Sequence, residues 1–168
     1  MNIPDIIIAV DGYSSTGKST FARSLAKHLN KSIVAVNSQS DDEDNDRRSC
    51  LAACAKVIEG RNDVIGLVDE AETLLDNQGR YAQNSHDKAW INMFLEQTNR
   101  KMIWIINDKE DLHSAILRRF SFSVKFENLS SEQRTNTFKK ILKRYNSSRL
   151  LTNDQIEKII NRFDTEIY

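Results

Sequence analysis

The sequence predicts an α/β domain, a doubly wound parallel sheet of five strands flanked by helices. Three observations carry this. Five short β-rich apolar runs are spaced along the chain, helical patterns fall between them, and the first run leads into a glycine-punctuated loop that opens a helix, "DGYSSTGKST" at 11–20. Regular alternation of strand and helix implies right-handed crossovers and therefore parallel neighbours.

The strands are "DIIIAVD" (5–11), "SIVAV" (32–36), "DVIGLVD" (63–69), "KMIWIIN" (101–107) and "FSVKF" (122–126). The first, third and fourth are nearly all apolar, as expected of strands buried on both faces of a helix-covered sheet. Between them, "STFARSLAKHL" (19–29) puts Phe21, Leu25, Ala26 and Leu29 on one stripe. "RRSCLAACAKVIEG" (47–60) does the same with Leu51, Cys54, Ala55 and Ile58 and ends at Gly60, and "DKAWINMFLEQT" (87–98) groups Trp90, Ile91, Phe94 and Leu95. "DLHSAILRRF" (111–120) reads as a short helix. "SEQRTNTFKKILKRY" (131–145) opens with Ser130 and Gln133 in capping-box spacing, and Thr152 with Gln155 repeats the device before a last helix. That last helix follows a break near "NSSRLL" (146–151) and is expected to begin a small helical subdomain.

Composition narrows the functions open to the chain. Its 168 residues suit one domain, with at most a fragment of a second, and a chain of this size buries about 70% of its unfolded surface without staples. Twenty-four basic and 24 acidic residues cancel, so there is no bulk field for nucleic acid or a membrane surface. Cys50 and Cys54 lie one helical turn apart with no second pair, which suits small apolar residues on a helix face in a reducing cytoplasm better than zinc ligands. The longest apolar run, "IIIAV", is far short of the ~20 residues of a membrane span, and the N-terminus lacks the basic start and long apolar stretch of a leader. The acidic stretch "SDDEDND" (40–46) lacks the central glycine and distal glutamate of a calcium loop and reads as a solvated loop. His28, His86 and His113 are scattered and support neither a metal site nor a triad.

The chemistry concentrates elsewhere. Gly12, four residues, then Gly17-Lys18-Ser19 is the phosphate-binding pattern G-x-x-x-x-G-K-[ST], in the strand-to-helix context that the pattern requires. The glycines let successive N–H groups curl toward phosphate oxygens, and the positive end of the following helix adds to that field. The expected nucleotide-binding residues are Gly12, Tyr13, Ser14, Ser15, Thr16, Gly17, Lys18, Ser19 and Thr20. Lys18 would reach the β- and γ-phosphates and Ser19 would bind Mg²⁺. The fold class is thus a P-loop NTPase, and the loop alone does not separate kinase, GTPase and ATPase.

Further along, "VIGLVDEAETLL" (64–75) ends an apolar strand in Asp69-Glu70. Asp69 can hold Mg²⁺ through its water shell, and Glu70 can orient and deprotonate a water, so the pair suits hydrolysis. Asn107 ends an inner strand, where ligands bind in such sheets, and can bond the γ-phosphate or the attacking water. Arg118 and Arg119 end the short helix with donor forks suited to a phosphoryl group. Two adjacent arginines cannot share a helix face, so at least one points outward, where it can serve a neighbouring subunit's nucleotide.

The order of phosphate loop, "GLVDEAETLL", "IWIIND…DLHSAILRRF" and "SVKFENLSSEQRTNTFKKIL" resembles the AAA+ ATPase core, over about residues 5–165. The resemblance implies that Gly12 to Thr20 are Walker A, Asp69 and Glu70 Walker B, Asn107 sensor 1, and Arg118 and Arg119 the arginine-finger end of the second region of homology. It also implies ATP and Mg²⁺ as cofactors, a ring-forming homo-oligomer or larger AAA+ assembly, and remodelling of a macromolecule not identified by the sequence. Residues 1–146 would be the core and 147–168 the start of a truncated helical lid, with no sensor 2 arginine assignable. Three features depart from the family pattern, the first being that truncated lid. The wording of the phosphate loop is similar to that of cytidylate kinases, and no pore loop is recognisable, although "NQGRYAQ" (77–83), with Tyr81 as its aromatic, lies in about the right region. The alternatives are a nucleoside monophosphate kinase and a nucleotide-binding module without turnover. The kinase would need an arginine-lined acceptor site, for which the middle of the chain offers mainly Arg47, Arg48, Arg61 and Arg80 without an acceptor motif.

Overall fold

The computed structural model describes residues 6–14, 16–36, 44–75, 85–97, 100–110, 112–147 and 150–162, and side chains throughout these except at 44–46 and 85–88. The elements run β1 (Ile7–Gly12), α1 (Lys18–His28), β2 (Ser32–Val36), α2 (Asp44–Ile58), β3 (Val64–Val68), α3 (Glu72–Leu75), α4 (Ser85–Glu96), β4 (Met102–Ile106), α5 (Ser114–Leu117), β5 (Phe122–Phe126), α6 (Ser131–Arg144) and α7 (Asn153–Arg162). The chain divides into two compact units, Met1–Glu127 and Asn128–Tyr168. The break expected near residue 146 falls inside the second unit, between α6 and α7.

All five predicted strands form, and every pairing is parallel, in the order β2-β3-β4-β1-β5. The apolar runs explain the order. β3 and β4 are buried at every position and β1 at four of six, so they occupy the middle, while the half-exposed β2 and β5 take the edges. Period-two alternation then splits their side chains between two cores. Met102, Trp104 and Ile106 of β4 pack with Leu51, Cys54, Ala55 and Ile58 of α2 and with Ile91, Phe94 and Leu95 of α4. Ile103 and Ile105 face the other way, with Val10, Ile65 and Leu67, onto Ala22 and Ala26 of α1. A continuous apolar run in the sequence is therefore two alternating faces, each with its own helical cover.

Several expectations are corrected. Cys54 is buried but Cys50 is exposed, so only one of the two joins the core. The tail of the acidic stretch, residues 44–46, is the first turn of α2 rather than loop. The helix expected over 111–120 shortens to one turn, capped by His113, whose Nδ1 accepts the Ala115 N–H at 3.2 Å, and Arg118 is its C-cap. α3 was not foreseen. In the second unit both capping boxes are made: Ser130 with Gln133, and Thr152 with Gln155. Residues 40–43 and 77–83, including Tyr81, lie outside the described residues, as do Arg80, Ser15 and the side chain of His86.

Candidate functional site

The site is built where β3, β4 and β1 end on the same side of the sheet, β3 two residues short of β4. Val68 of β3 pairs with Trp104 of β4, and Asp11 of β1 pairs with Ile106. The residues just past these pairs, Asp69, Asn107 and the loop after Gly12, therefore emerge on one edge. The connections also diverge here, since β1 leads to the far edge at β2 while β4 crosses over β1 to reach β5. Crevices at such carboxyl ends are the usual ligand sites of open α/β sheets.

Gly12 and Gly17 shape the loop. Gly12 has φ +142°, and a Cβ there would fall 2.1 Å from the carbonyl oxygen of Phe126 in β5. Gly17 precedes α1 at φ +96°, in the left-handed region that favours glycine. No side chain caps α1 and its first turn holds no acidic residue, so its leading N–H groups are left for an anion. Thr16 Oγ1 donates to Tyr13 O at 2.7 Å, closing the loop on itself, while Tyr13 is largely exposed.

A cleft of about 430 Å³ opens over this loop. Ser14, Gly17, Lys18, Ser19 and Thr20 line it from the loop and α1, Asp69 and Glu70 from the end of β3, and Ile105 and Asn107 from β4. Lys18 is buried, and its ammonium donates to Gly12 O, to Tyr13 O at 2.7 Å and to Asn107 Oδ1 at 3.1 Å. Burial lowers its pKa from the ordinary lysine value, and the negative charges of Glu72, Asp69 and Asp11 oppose that shift. Ser19 Oγ donates to Asp69 Oδ2 at 2.8 Å, and the other carboxylate oxygen accepts the Glu70 N–H at 3.1 Å. Glu70 is exposed and takes a left-handed backbone, φ +50°.

Arg118 and Arg119 do not line the cleft. Arg119 is held inside its own chain, on Ala115 O and in an ion pair with Glu96 at 2.5 Å. Arg118 is exposed, with its Nε on Ser114 O at 3.2 Å and no partner at its terminal nitrogens among the described residues.

Three features of the site were not found from sequence. Glu72 accepts the Asn107 Nδ2–H at 2.5 Å. It is the third acidic residue of "DEAE", two positions past the Glu70 that the motif reading uses, and local spacing gives it no role of its own. Arg47, in α2, donates to Asp69 O, to Glu70 O at 3.0 Å and to Thr73 Oγ1, so it grips the turn that carries both acids. Nothing local in "DNDRRS" distinguishes it. Asp11 is buried, bonded by Ser123 Oγ at 3.1 Å and Lys109 Nζ at 3.2 Å, and braces the foot of the loop against β5 and the segment after β4. Among the described residues no group of three or more His, Cys, Asp or Glu is placed to hold a metal, and no helix is long and apolar enough to cross a membrane.

Sheet order and loop together define the fold of a P-loop NTPase domain. The chain belongs to the AAA family: the family model for "ATPase family associated with various cellular activities (AAA)" matches residues 8–128. No curated protein sequence matches it. Among solved structures, it is similar to a chain of the HORMA:CdnC:Trip13 complex of E. coli MS115-1, at 17% identity and TM-score 0.65, covering 94% of this chain and 58% of the other. It is also similar to the FIGL-1 AAA domain in complex with ADP, at 19% identity and TM-score 0.69, covering 98% of this chain and 56% of the other. At these identities the likeness concerns the fold, and the chain spans little more than half of either neighbour.

Proposed function

We propose that this protein binds ATP with Mg²⁺ and hydrolyses it, working in the cytoplasm as one subunit of a ring or larger AAA+ assembly that remodels a macromolecule. The observation that carries this reading is the convergence of Lys18, Ser19, Asp69, Glu70 and Asn107 on one cleft, from the loop and two strand ends. An ADP complex of one structural neighbour and a multiprotein complex containing the other support nucleotide and protein partners respectively.

In this reading the loop from Gly12 to Thr20 wraps the phosphates with its backbone N–H groups, aided by the uncapped start of α1. Lys18 exchanges its loop carbonyls for phosphate oxygens. Ser19 and Asp69, a hydroxyl and a carboxylate 2.8 Å apart, would hold a magnesium ion, which would supply neutralisation of charge on the phosphoryl oxygens. Glu70 accepts a proton from the attacking water, and Asn107 donates to the γ-phosphate. Arg118, the freer of the two arginines, reaches a neighbouring subunit's nucleotide.

ADP release from Mg-ATP, followed across a wide range of protein concentration with and without CMP, tests the reading. A specific rate that climbs with concentration, ignores CMP and vanishes in Glu70→Gln while ATP still binds is the expected result. A rate that is flat with concentration and requires CMP would identify a kinase instead. ATP binding without turnover at any concentration would leave a nucleotide-binding module.

A further inference from the structure

We propose that Glu72 is a positioning residue that fixes which way the Asn107 amide faces, and so makes the site sensitive to the γ-phosphate. The inference rests on the ATPase reading above. Asn107 has one acceptor oxygen and one nitrogen with two N–H bonds. Its Oδ1 accepts from Lys18 Nζ at 3.1 Å and lies 3.4 Å from Ser14 Oγ, while its Nδ2 donates to Glu72 Oε1 at 2.5 Å. Flipping the amide would turn N–H toward an ammonium and C=O toward a carboxylate, so the two charges assign the orientation between them. One Nδ2 hydrogen is used by Glu72. The second has no acceptor among the described residues, and it can donate to a phosphoryl oxygen.

Lys18 cannot hold that orientation alone once the site is loaded, because the lysine of such a loop moves to the phosphates. Glu72 then becomes the group that keeps Nδ2 turned the right way. Its own placement is rigid. It begins α3 directly after the Asp69–Glu70 turn, Ala71 N donates to Ile105 O at 2.8 Å, and Leu74 and Leu75 anchor the helix in the core. Its other oxygen, Oε2, is buried and has no hydrogen-bond partner among the described residues, a cost that an exposed helix-end glutamate would not incur. Glu72 is also the foremost of the charges opposing the burial shift on Lys18, which places it inside the field of the site.

The test uses the full chain with Mg²⁺ and compares wild type with Glu72→Ala, Glu72→Gln and Asn107→Ala. Affinities for ADP and for the non-hydrolysable analogue AMP-PNP are measured beside kcat. Glu72→Ala should leave ADP affinity unchanged, lose the preference for AMP-PNP over ADP as Asn107→Ala does, and lower kcat by about 10-fold to 10²-fold. Glu72→Gln keeps an acceptor oxygen and should restore the preference. A Glu72→Ala protein that retains the preference beside an active wild type overturns this inference and leaves the ATPase reading standing. Equal weakening of ADP and AMP-PNP, or a Glu72→Gln protein no better than the alanine variant, also overturns it. A wild type that binds neither nucleotide defeats the ATPase reading and this one with it.

Discussion

Lys18 shows how much one side chain carries at this site. In the structure its ammonium is turned back onto two loop carbonyls and Asn107, buried beneath the cleft. Burial lowers its pKa from 10.5, and Glu72, Asp69 and Asp11 only partly offset that. Because the unfolded chain then holds the proton more tightly than the folded one, Lys18 penalises the nucleotide-free fold at neutral pH. The penalty fades as pH rises from the native pKa toward the unfolded value. Lys18→Met removes the titration. In urea melts without nucleotide, wild type should gain on this variant as pH climbs toward 10.5, and a gap that does not change with pH would contradict the assignment. The same variant should lose ATP binding at every pH. Lys18 was legible from its place in the loop. Glu72 was not, because its importance depends on Asn107, 35 positions away in the chain.

At the scale of elements, the turn between β3 and α3 is held by a helix from elsewhere in the chain. Arg47 of α2 is buried and donates to the carbonyls of Asp69 and Glu70 and to Thr73 Oγ1. A left-handed backbone at a non-glycine residue such as Glu70 is strained, and the grip of Arg47 on both flanking carbonyls supplies a reason for it to persist. Arg47→Ala would leave those acceptors without this donor and should cost about 3 kcal/mol of stability. It should lower kcat more than it lowers ADP affinity, because Arg47 holds the turn that carries the two acids. Thermal melts beside single-turnover kinetics check this. A variant as active as wild type would show that the turn holds its shape alone. The elements themselves were mostly legible. β4 was read from an unbroken apolar run, and α6 and α7 from their capping boxes. Four residues are too few to show a period, which leaves α3 illegible in the sequence, and the buried Leu112 and half-buried Phe120 that flank α5 extend its apolar pattern without being helical.

At the scale of the whole molecule, the proposed arginine finger has to act between copies. Arg119 is paired with Glu96 of its own chain, whereas Arg118 stands exposed. Arg118→Ala should therefore lower hydrolysis by roughly 10³-fold or more, the scale of fingers supplied in trans, and Arg119→Ala should act mainly on stability. Mixing Arg118→Ala with Glu70→Gln gives the sharper result. Each is inactive alone, but together they form interfaces with one intact site and one intact finger, so ADP release should return. No recovery, or a larger loss from Arg119→Ala, would place the finger elsewhere.

The sequence by itself determined the strands, most helices, the phosphate loop and the acidic strand end, because each is written in local spacing and local chemistry. It also carried the AAA+ resemblance that the family match then bore out. Only the tertiary structure decided which strands stand side by side, which charged residues beyond the motifs bond to the residues that line the cleft, and which arginine is tied down. Those outcomes depend on contacts between residues far apart in the chain. Asn107 meets Glu72, Arg47 meets the Asp69–Glu70 turn, and Arg119 meets Glu96 only after the sheet has set its register.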